Sequence, residues 1–412
     1  MLIPRKINLE IKKWLPKKEI IILNGARQVG KTSILKLIEK DLLKTKINKK
    51  NIFYLNLEEL RILSELNKDP ENIRKYILDE KETNFFLIDE IQYLDNPSNF
   101  LKHIYDKYAP KIKLIITGSS SLELKAHFQD SLVGRKISFQ INPLDFEEFL
   151  NFRKFSHLDY LAKKELPAEI QNAFLEKLNE YLLFGGMPAV ALEGNFEIKK
   201  KMLNEYVNTY INKDIRAIGK IENISKFNDL VKLLASQIGN LLNISEVSNT
   251  LDLDRRKVLN YLDLLKLTFV LNKIKPFKKN IRSQISKMPK IYFFDLGVRN
   301  AILDNFLDLF SRQDAGALFE NFIFCEFKNI FSKIYFFRTK SGAEIDFVIE
   351  KEGKINLFEV KYKKLKKKID ERQLKNFVKK QGNIIAEASV INLSLNLKND
   401  KIQYLDYRVD TQ

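Results

Sequence analysis

The stretch from Glu19 to Leu43, EIIILNGARQVGKTSILKLIEKDLL, limits what this chain can fold into more than any other. Ile20 to Leu23 are an unbroken apolar run, the pattern of a parallel strand buried on both faces. Gly25-Ala26-Arg27-Gln28-Val29-Gly30-Lys31-Thr32 follows and fits GxxxxGK[ST], and Ser33 to Leu43 continue with helical periodicity. Strand, glycine-rich turn and helix in that order make a phosphate cradle. Gly25 and Gly30 let backbone N–H groups curl around phosphate oxygens, and the helix N-terminus adds favourable dipole charge. Gly25 through Ser33 are therefore the candidate nucleotide-binding residues, with Lys31 reaching the β- and γ-phosphates and the Thr32 hydroxyl ligating Mg²⁺. The alternative, an ordinary glycine-containing turn, is disfavoured by the flanking strand and helix.

Further along, Asn51 to Leu57, Asn84 to Asp89, Lys113 to Thr117 and Arg135 to Ile141 read as strands, and Glu71 to Glu82 and Asn99 to Tyr108 as helices. Alternating strands and helices imply a doubly wound parallel sheet with its ligand at the carboxyl ends of the strands. Asp89-Glu90 closes one such strand, 58 residues after Lys31. Asp89 would hold Mg²⁺ through water, and Glu90 would polarise the attacking water. At the end of the next strand, Ser119 could sense the γ-phosphate or belong to a plain serine-rich turn. Arg135 could serve as an arginine finger, in cis or from a neighbouring subunit of a homo-oligomer, or be a surface arginine.

The chain has 412 residues, too many for one typical core, so two to four domains are expected. Apolar residues make up 45%, enough for sizeable cores. The net charge of +18, mostly from lysine, suggests nucleic acid or an anionic surface as partner, unless it is only a solvated basic exterior. Cys325 is the single cysteine, which excludes an internal disulfide framework. No run approaches the ~18 apolar residues of a membrane span, and the N-terminus lacks the apolar core of a signal peptide. The expectation is a cytoplasmic protein.

From Glu147 to about Lys213 the pattern turns helical, with segments Ala168 to Leu183 and Ile198 to Ile211 and a tight turn at Gly185-Gly186-Met187-Pro188. This reads as a helical lid. Phe227 to Pro276 reads helix, helix, helix, strand, with Thr268 to Lys275 as the arm of a wing, a helix-turn-helix of winged type. Arg255, Arg256 and Lys257 open its recognition helix and are candidate DNA contacts, although such modules also dock proteins. In the C-terminal quarter, Glu320 lies on an apolar helix, Asp346 on the first arm of a hairpin turning at Glu352-Gly353, and Glu359 and Lys361 on the second. Glu359 and Lys361 are two apart and share a face. This set suits phosphodiester hydrolysis: Asp346, Glu359 and Glu320 holding Mg²⁺, and Lys361 orienting or activating water. A solvent-facing charged hairpin fits less well, because the acids interrupt apolar runs. The basic run from Tyr362 to Lys368 could lie along phosphates or begin a solvated helix.

GARQVGKTS, FFLIDEIQYL, IITGSSS, LVGR with Pro143-Leu144, FGGMP, KIYFFDLGVRN, LFENFIFCEF, and SGAEIDFVIE with FEVKYKK together give the chain its likeness. It resembles a large prokaryotic family of AAA-type P-loop ATPases with a helical lid, a winged helix and a C-terminal domain like PD-(D/E)xK restriction endonucleases. The resemblance implies an α/β multidomain protein. A P-loop parallel-sheet core would span 1–150, the lid 151–222, the winged helix 223–285 and the nuclease-like domain 286–412. It also implies ATP binding and hydrolysis, and leaves open whether the last domain cuts DNA or only binds, as part of a nucleotide-driven switch.

Overall fold

The computed structural model describes residues 2–45, 47–79, 81–118, 132–277, 287–339, 342–381, 384–397 and 402–408. The chain divides into two compact units, Met1–Asn142 with Leu267–Phe269, and Pro143–Lys266 with Val270–Gln412.

The first unit runs α1 (Ile7–Lys12), β1 (Ile20–Asn24), α2 (Lys31–Leu43), β2 (Ile52–Asn56), α3 (Leu60–Lys68), β3 (Asn84–Asp89), α4 (Pro97–Tyr108), β4 (Ile112–Gly118) and β5 (Lys136–Gln140). The strands form one parallel sheet in the order β2-β3-β4-β1-β5. Every residue of β3 and β4 is buried, which accounts for the apolar runs Phe85 to Ile88 and Leu114 to Ile116 within them. Phe86, Ile88, Ile112, Leu114 and Ile116 from the sheet, and Phe100, Leu101 and Ile104 from α4, share one core. Because all five strands are parallel, Asn24, Asp89 and Gly118 end at the same edge of the sheet. The helix expected over Glu71 to Glu82 is only a 3₁₀ turn, Pro70–Tyr76. Asp69 caps its start by accepting from Glu71 N at 2.9 Å, and Asn72 Nδ2 donates to Glu65 O at 2.8 Å, which ties the turn to α3.

The second unit begins with α5 (Phe146–Phe152), α6 (Ala168–Phe184), α7 (Pro188–Leu192) and α8 (Phe196–Tyr206), the last continuing as a π-helix over Val207–Ile215. Next come α9 (Ile224–Ser236), α10 (Ile244–Leu251), α11 (Arg255–Leu267), β6 (Leu271–Pro276), β7 (Lys290–Phe293), α12 (Leu296–Ile302) and α13 (Ala315–Ile330). It closes with β8 (Ile334–Arg338), β9 (Glu344–Lys351), β10 (Lys354–Val360), α14 (Arg372–Gln381), β11 (Ile385–Asn392) and β12 (Gln403–Asp406). The seven strands form a mixed sheet in the order β12-β11-β10-β9-β8-β6-β7. The expected wing arm is β6. It pairs antiparallel with β7, as a wing would, but also parallel with β8 through Lys275 and Pro276. Leu271, Ile274 and Pro276 are buried, so this arm lies inside a larger sheet.

The FGGMP turn joins α6 to α7 and is held by the buried Asp295, whose Oδ2 accepts from Gly186 N at 2.7 Å while Oδ1 accepts from Val298 N at 2.9 Å. A Cβ on Gly186 would stand 2.4 Å from Leu144 O, so the close approach of these segments requires glycine there.

Candidate nucleotide site and acidic cluster

The turn after β1 is shaped by two close constraints. A Cβ on Gly25 would stand 2.2 Å from Ile141 O, and Gly30 holds a left-handed φ of 94° immediately before α2. Lys31, the first residue of α2, is buried, and its Nζ donates to Gly25 O at 3.0 Å and Ala26 O at 2.7 Å. Burial lowers its pKa to about 8, with the charges of Glu90 and Asp89 opposing the fall. Thr32 is partly buried one residue on, while Ser33, Arg27 and Gln28 are exposed and Val29 and Ala26 are buried.

Asp89 ends β3 beside this turn. One of its oxygens accepts from Tyr54 Oη at 2.7 Å and the other from Thr117 Oγ1. Thr117 Oγ1 in turn accepts from Glu90 N at 3.0 Å, and Gln92 Nε2 donates to the Glu90 carboxylate. The Tyr54 hydroxyl is held well above its ordinary pKa by burial and by Asp89, and so stays a donor. Thr117 thus links the two carboxylate residues through one hydroxyl. Glu90 takes a left-handed φ of 58°, uncommon for a non-glycine residue and frequent where a side chain is aimed for function. The donor set fits a hard divalent cation: Asp89 is a fixed carboxylate and Thr32 a hydroxyl, both oxygen ligands. Ser119 lies outside the described residues.

Arg135 does not join this group. Its carbonyl accepts from Ile20 N at 2.8 Å, and Lys136 pairs with Ile20, so Arg135 sits at the amino end of the sheet. The cradle lies at the carboxyl end, five strand residues or roughly 15 Å away. Its guanidinium instead grips Asp106, Nε to Oδ1 at 2.6 Å and Nη2 to Oδ2 at 3.1 Å. An arginine finger in cis is therefore ruled out by the strand direction.

The second constellation is arranged otherwise than expected. Lys290, the first residue of β7 and 1% exposed, places Nζ 2.5 Å from Glu344 Oε1, 3.0 Å from Glu320 Oε1 and 3.9 Å from Asp346 Oδ1. Tyr292, two residues on and facing the same way, donates to Glu320 Oε1 at 2.5 Å. Asp346 Oδ2 accepts from Val360 N at 2.7 Å, and Glu359 Oε1 pairs with Lys361 Nζ at 2.8 Å. Burial works against the Lys290 charge, but Glu320, Asp346 and Glu344 together hold its pKa above the ordinary lysine value. Burial, helped by the Asp346 charge, raises Glu320 to about 7, and burial raises Asp346 against the pull of Lys290. For Lys361, burial works against the charge, but its hydrogen bond to Glu359 and the charges of Glu359, Asp346 and Glu320 together hold its pKa above the ordinary lysine value.

Asp346, Glu359 and Glu320 were expected to share Mg²⁺. Among the described residues, no group of three or more His, Cys, Asp or Glu side chains is arranged to hold a metal. The physical reason is Lys290, whose ammonium already sits among the carboxylates, while Glu359 is turned to Lys361. In this arrangement lysines, not one shared cation, face these carboxylates. Lys290, Tyr292 and Glu344 were missed as members of the cluster. The available signal was KIYF, where a lysine and a tyrosine alternate on one face of an otherwise apolar strand. Arg255, Arg256 and Lys257 are exposed in the first turn of α11, with Arg255 Nη1 donating to Ser245 Oγ at 3.2 Å. Among the described residues, no helix is long and apolar enough to cross a membrane.

Residues 17–150 match the AAA domain family, 175–308 a domain of unknown function (DUF8612) and 315–407 another (DUF4143). Uncharacterized protein MJ1544 of Methanocaldococcus jannaschii is 29% identical over 407 residues, covering 96% of this chain and 86% of its own. An uncharacterized protein of Haemophilus influenzae is 27% identical over 290 residues, 68% of each chain. Among solved structures, the Aeropyrum pernix ORC1 protein in complex with DNA aligns with a TM-score of 0.33 at 13% identity, over 74% of this chain and 94% of that one. The part of the chain similar to the AAA domain is the part that holds the turn after β1 and the Asp89-Glu90 strand end.

Proposed function

We propose that the chain is a Mg²⁺-dependent ATPase that works as a nucleotide-driven switch, with a C-terminal module that binds without cutting and with DNA as a weakly specific partner. The observation that carries this reading is the hydroxyl of Thr117, which ties Asp89 and Glu90 together beside the Lys31 cradle. On binding, Lys31 exchanges its two carbonyl partners for β- and γ-phosphate oxygens, whose charge favours its protonated form. Thr32 and Asp89 would hold Mg²⁺, which neutralises charge on those oxygens when bound. Glu90, positioned by Gln92 and by its left-handed backbone, polarises the attacking water. Arg135, where it acts, acts from a second copy of the chain, so a homo-oligomer belongs to the proposal.

The proposed layout keeps a core over 1–150, a lid over 151–222, a winged helix over 223–285 and a last module over 286–412. DNA is assigned to Arg255, Arg256 and Lys257 on the strength of their exposure and the net charge of +18. The switch is preferred to a nuclease because Lys290 already sits among Glu320, Glu344 and Asp346 and Lys361 already pairs with Glu359. Measuring ATP binding and turnover for Lys31→Ala and Glu90→Gln tests the core of the proposal. The first should lose most nucleotide affinity, and the second should bind ATP and fail to turn it over. Normal turnover by Glu90→Gln would remove that residue from its role, and a wild-type chain that binds no ATP would overturn the proposal.

A further inference from the structure

The cradle is braced from outside by a residue far from it in sequence. Arg5 is 9% exposed, and its Nη1 donates to Val29 O at 3.2 Å and to Asn142 O at 3.0 Å, while its own backbone N donates to Asn8 Oδ1 at 3.0 Å. Val29 O belongs to the cradle. Asn142 follows Ile141, whose N donates to Asn24 O at 2.7 Å and whose carbonyl lies against Gly25. One guanidinium nitrogen therefore joins three segments: the chain before α1, the cradle, and the exit from β5.

The peptide plane gives this contact its consequence. In a trans peptide the C=O of Val29 and the N–H of Gly30 point to opposite sides. A guanidinium holding Val29 O on the outer side fixes Gly30 N–H toward the inner side, where the phosphates are cradled. Such a loop must otherwise be ordered when the nucleotide arrives, because Gly30 has no Cβ to restrict its backbone. A binding site ordered in advance keeps that entropy out of the binding step.

We propose that Arg5 is a positioning residue for the nucleotide site, pre-orienting the Val29–Gly30 peptide so that its N–H is ready for a phosphate oxygen. This rests on the ATPase reading given above. The contact is made in the ground state and the transition state alike, so its loss raises KM and leaves kcat nearly unchanged.

The test compares full-length wild type with Arg5→Met, which keeps the aliphatic stem and removes the donors, and Arg5→Lys, whose ammonium can donate to the same carbonyls. Steady-state ATP hydrolysis and the affinity for a fluorescent ADP are measured for each, with thermal unfolding alongside. Arg5→Met should raise KM for ATP and Kd for ADP about tenfold, the scale of a lost charge-assisted hydrogen bond, with kcat within about threefold. Arg5→Lys should recover much of that affinity. A merely structural role would instead lower kcat through the folded fraction at unchanged KM, and that result would overturn the proposal, as would KM and Kd values within twofold of wild type. Should Arg5→Met not fold, Arg5→Gln carries the same comparison, since its shorter amide cannot span both carbonyls. A wild-type chain that binds neither ADP nor ATP refutes the ATPase reading itself, and the role of Arg5 with it.

Discussion

Replacing Lys290 with methionine should destabilise the C-terminal unit more than any change to a lysine on its surface. Lys290 is 1% exposed and lies within 4 Å of Glu320, Glu344 and Asp346; Glu344 keeps Arg338 as a partner, but removing Lys290 leaves Glu320 and Asp346 without their ammonium. Breaking a buried ion pair by deleting one partner costs about 3–5 kcal/mol. For a unit of this size that corresponds to a fall in Tm of about 10 °C. The loss should depend on pH. Burial already raises Glu320 to about 7 and raises Asp346, and without the ammonium both rise further. A carboxyl whose folded pKa exceeds its unfolded value stabilises the fold below the unfolded pKa and loses that contribution as pH rises through the folded one. The deficit of Lys290→Met should therefore be large at pH 8 and much smaller at pH 5. Differential scanning calorimetry of the full chain at both pH values reads this directly. Adding Glu320→Gln and Asp346→Asn should restore most of the loss, since Glu344 keeps Arg338 and no buried carboxylate is then left without its ammonium. A single variant melting within about 2 °C of wild type at pH 8, or with equal deficits at both pH values, would refute the reasoning.

Other outcomes follow from the same structure. Glu90→Gln should keep ATP affinity while kcat falls by about 10²-fold or more, read by single-turnover hydrolysis. Gly186→Ala forces a Cβ to within 2.4 Å of Leu144 O and 2.8 Å of Tyr181 Oη, and should lower stability in urea by about 1–3 kcal/mol. Wild-type stability should fall as pH rises through 6 to 7, because burial raises Asp295 to about 6 and Glu320 to about 7, both above their unfolded values; denaturation midpoints that climb over that range would contradict this. Arg255→Glu with Arg256→Glu should weaken DNA binding and flatten its dependence on salt, whose slope is about −0.9 per phosphate neutralised; an unchanged slope would place the DNA elsewhere.

The strand, turn and helix of β1 and α2, and the strand β3, were legible because their constraints are local. Glycine at two fixed positions, a lysine at the helix start and an apolar run ending in two acids each act within a few residues. The role of Arg5 was not legible, since its partners Val29 and Asn142 are brought to it only by the completed sheet. Lys290 was missed for a related reason. A lysine at the first position of a strand reads as solvated, and nothing nearby in sequence announces Glu320, Glu344 and Asp346. In place of the expected helix over Glu71 to Glu82 stands a short turn, which Asn72 bonds to α3 through Glu65 O. The strands β11 and β12 were not anticipated, although Val390 and Tyr404 are buried in the core of the sheet.

Strand β6 bears on how such a chain can be taken apart. It leaves the three helices α9 to α11 and lies between β7 and β8, bonded on both sides. A polypeptide ending at 285 would carry β6 with two bare edges, and one beginning at 286 would offer β8 an unfilled groove. Unpaired strand edges invite pairing with other chains. The segment α9 to α11 is therefore a poor cassette for exchange between proteins: a recombination that moved it alone with β6 would yield two sticky halves, whereas one that carried the whole mixed sheet, β6 through β12, with it would leave every strand pair intact.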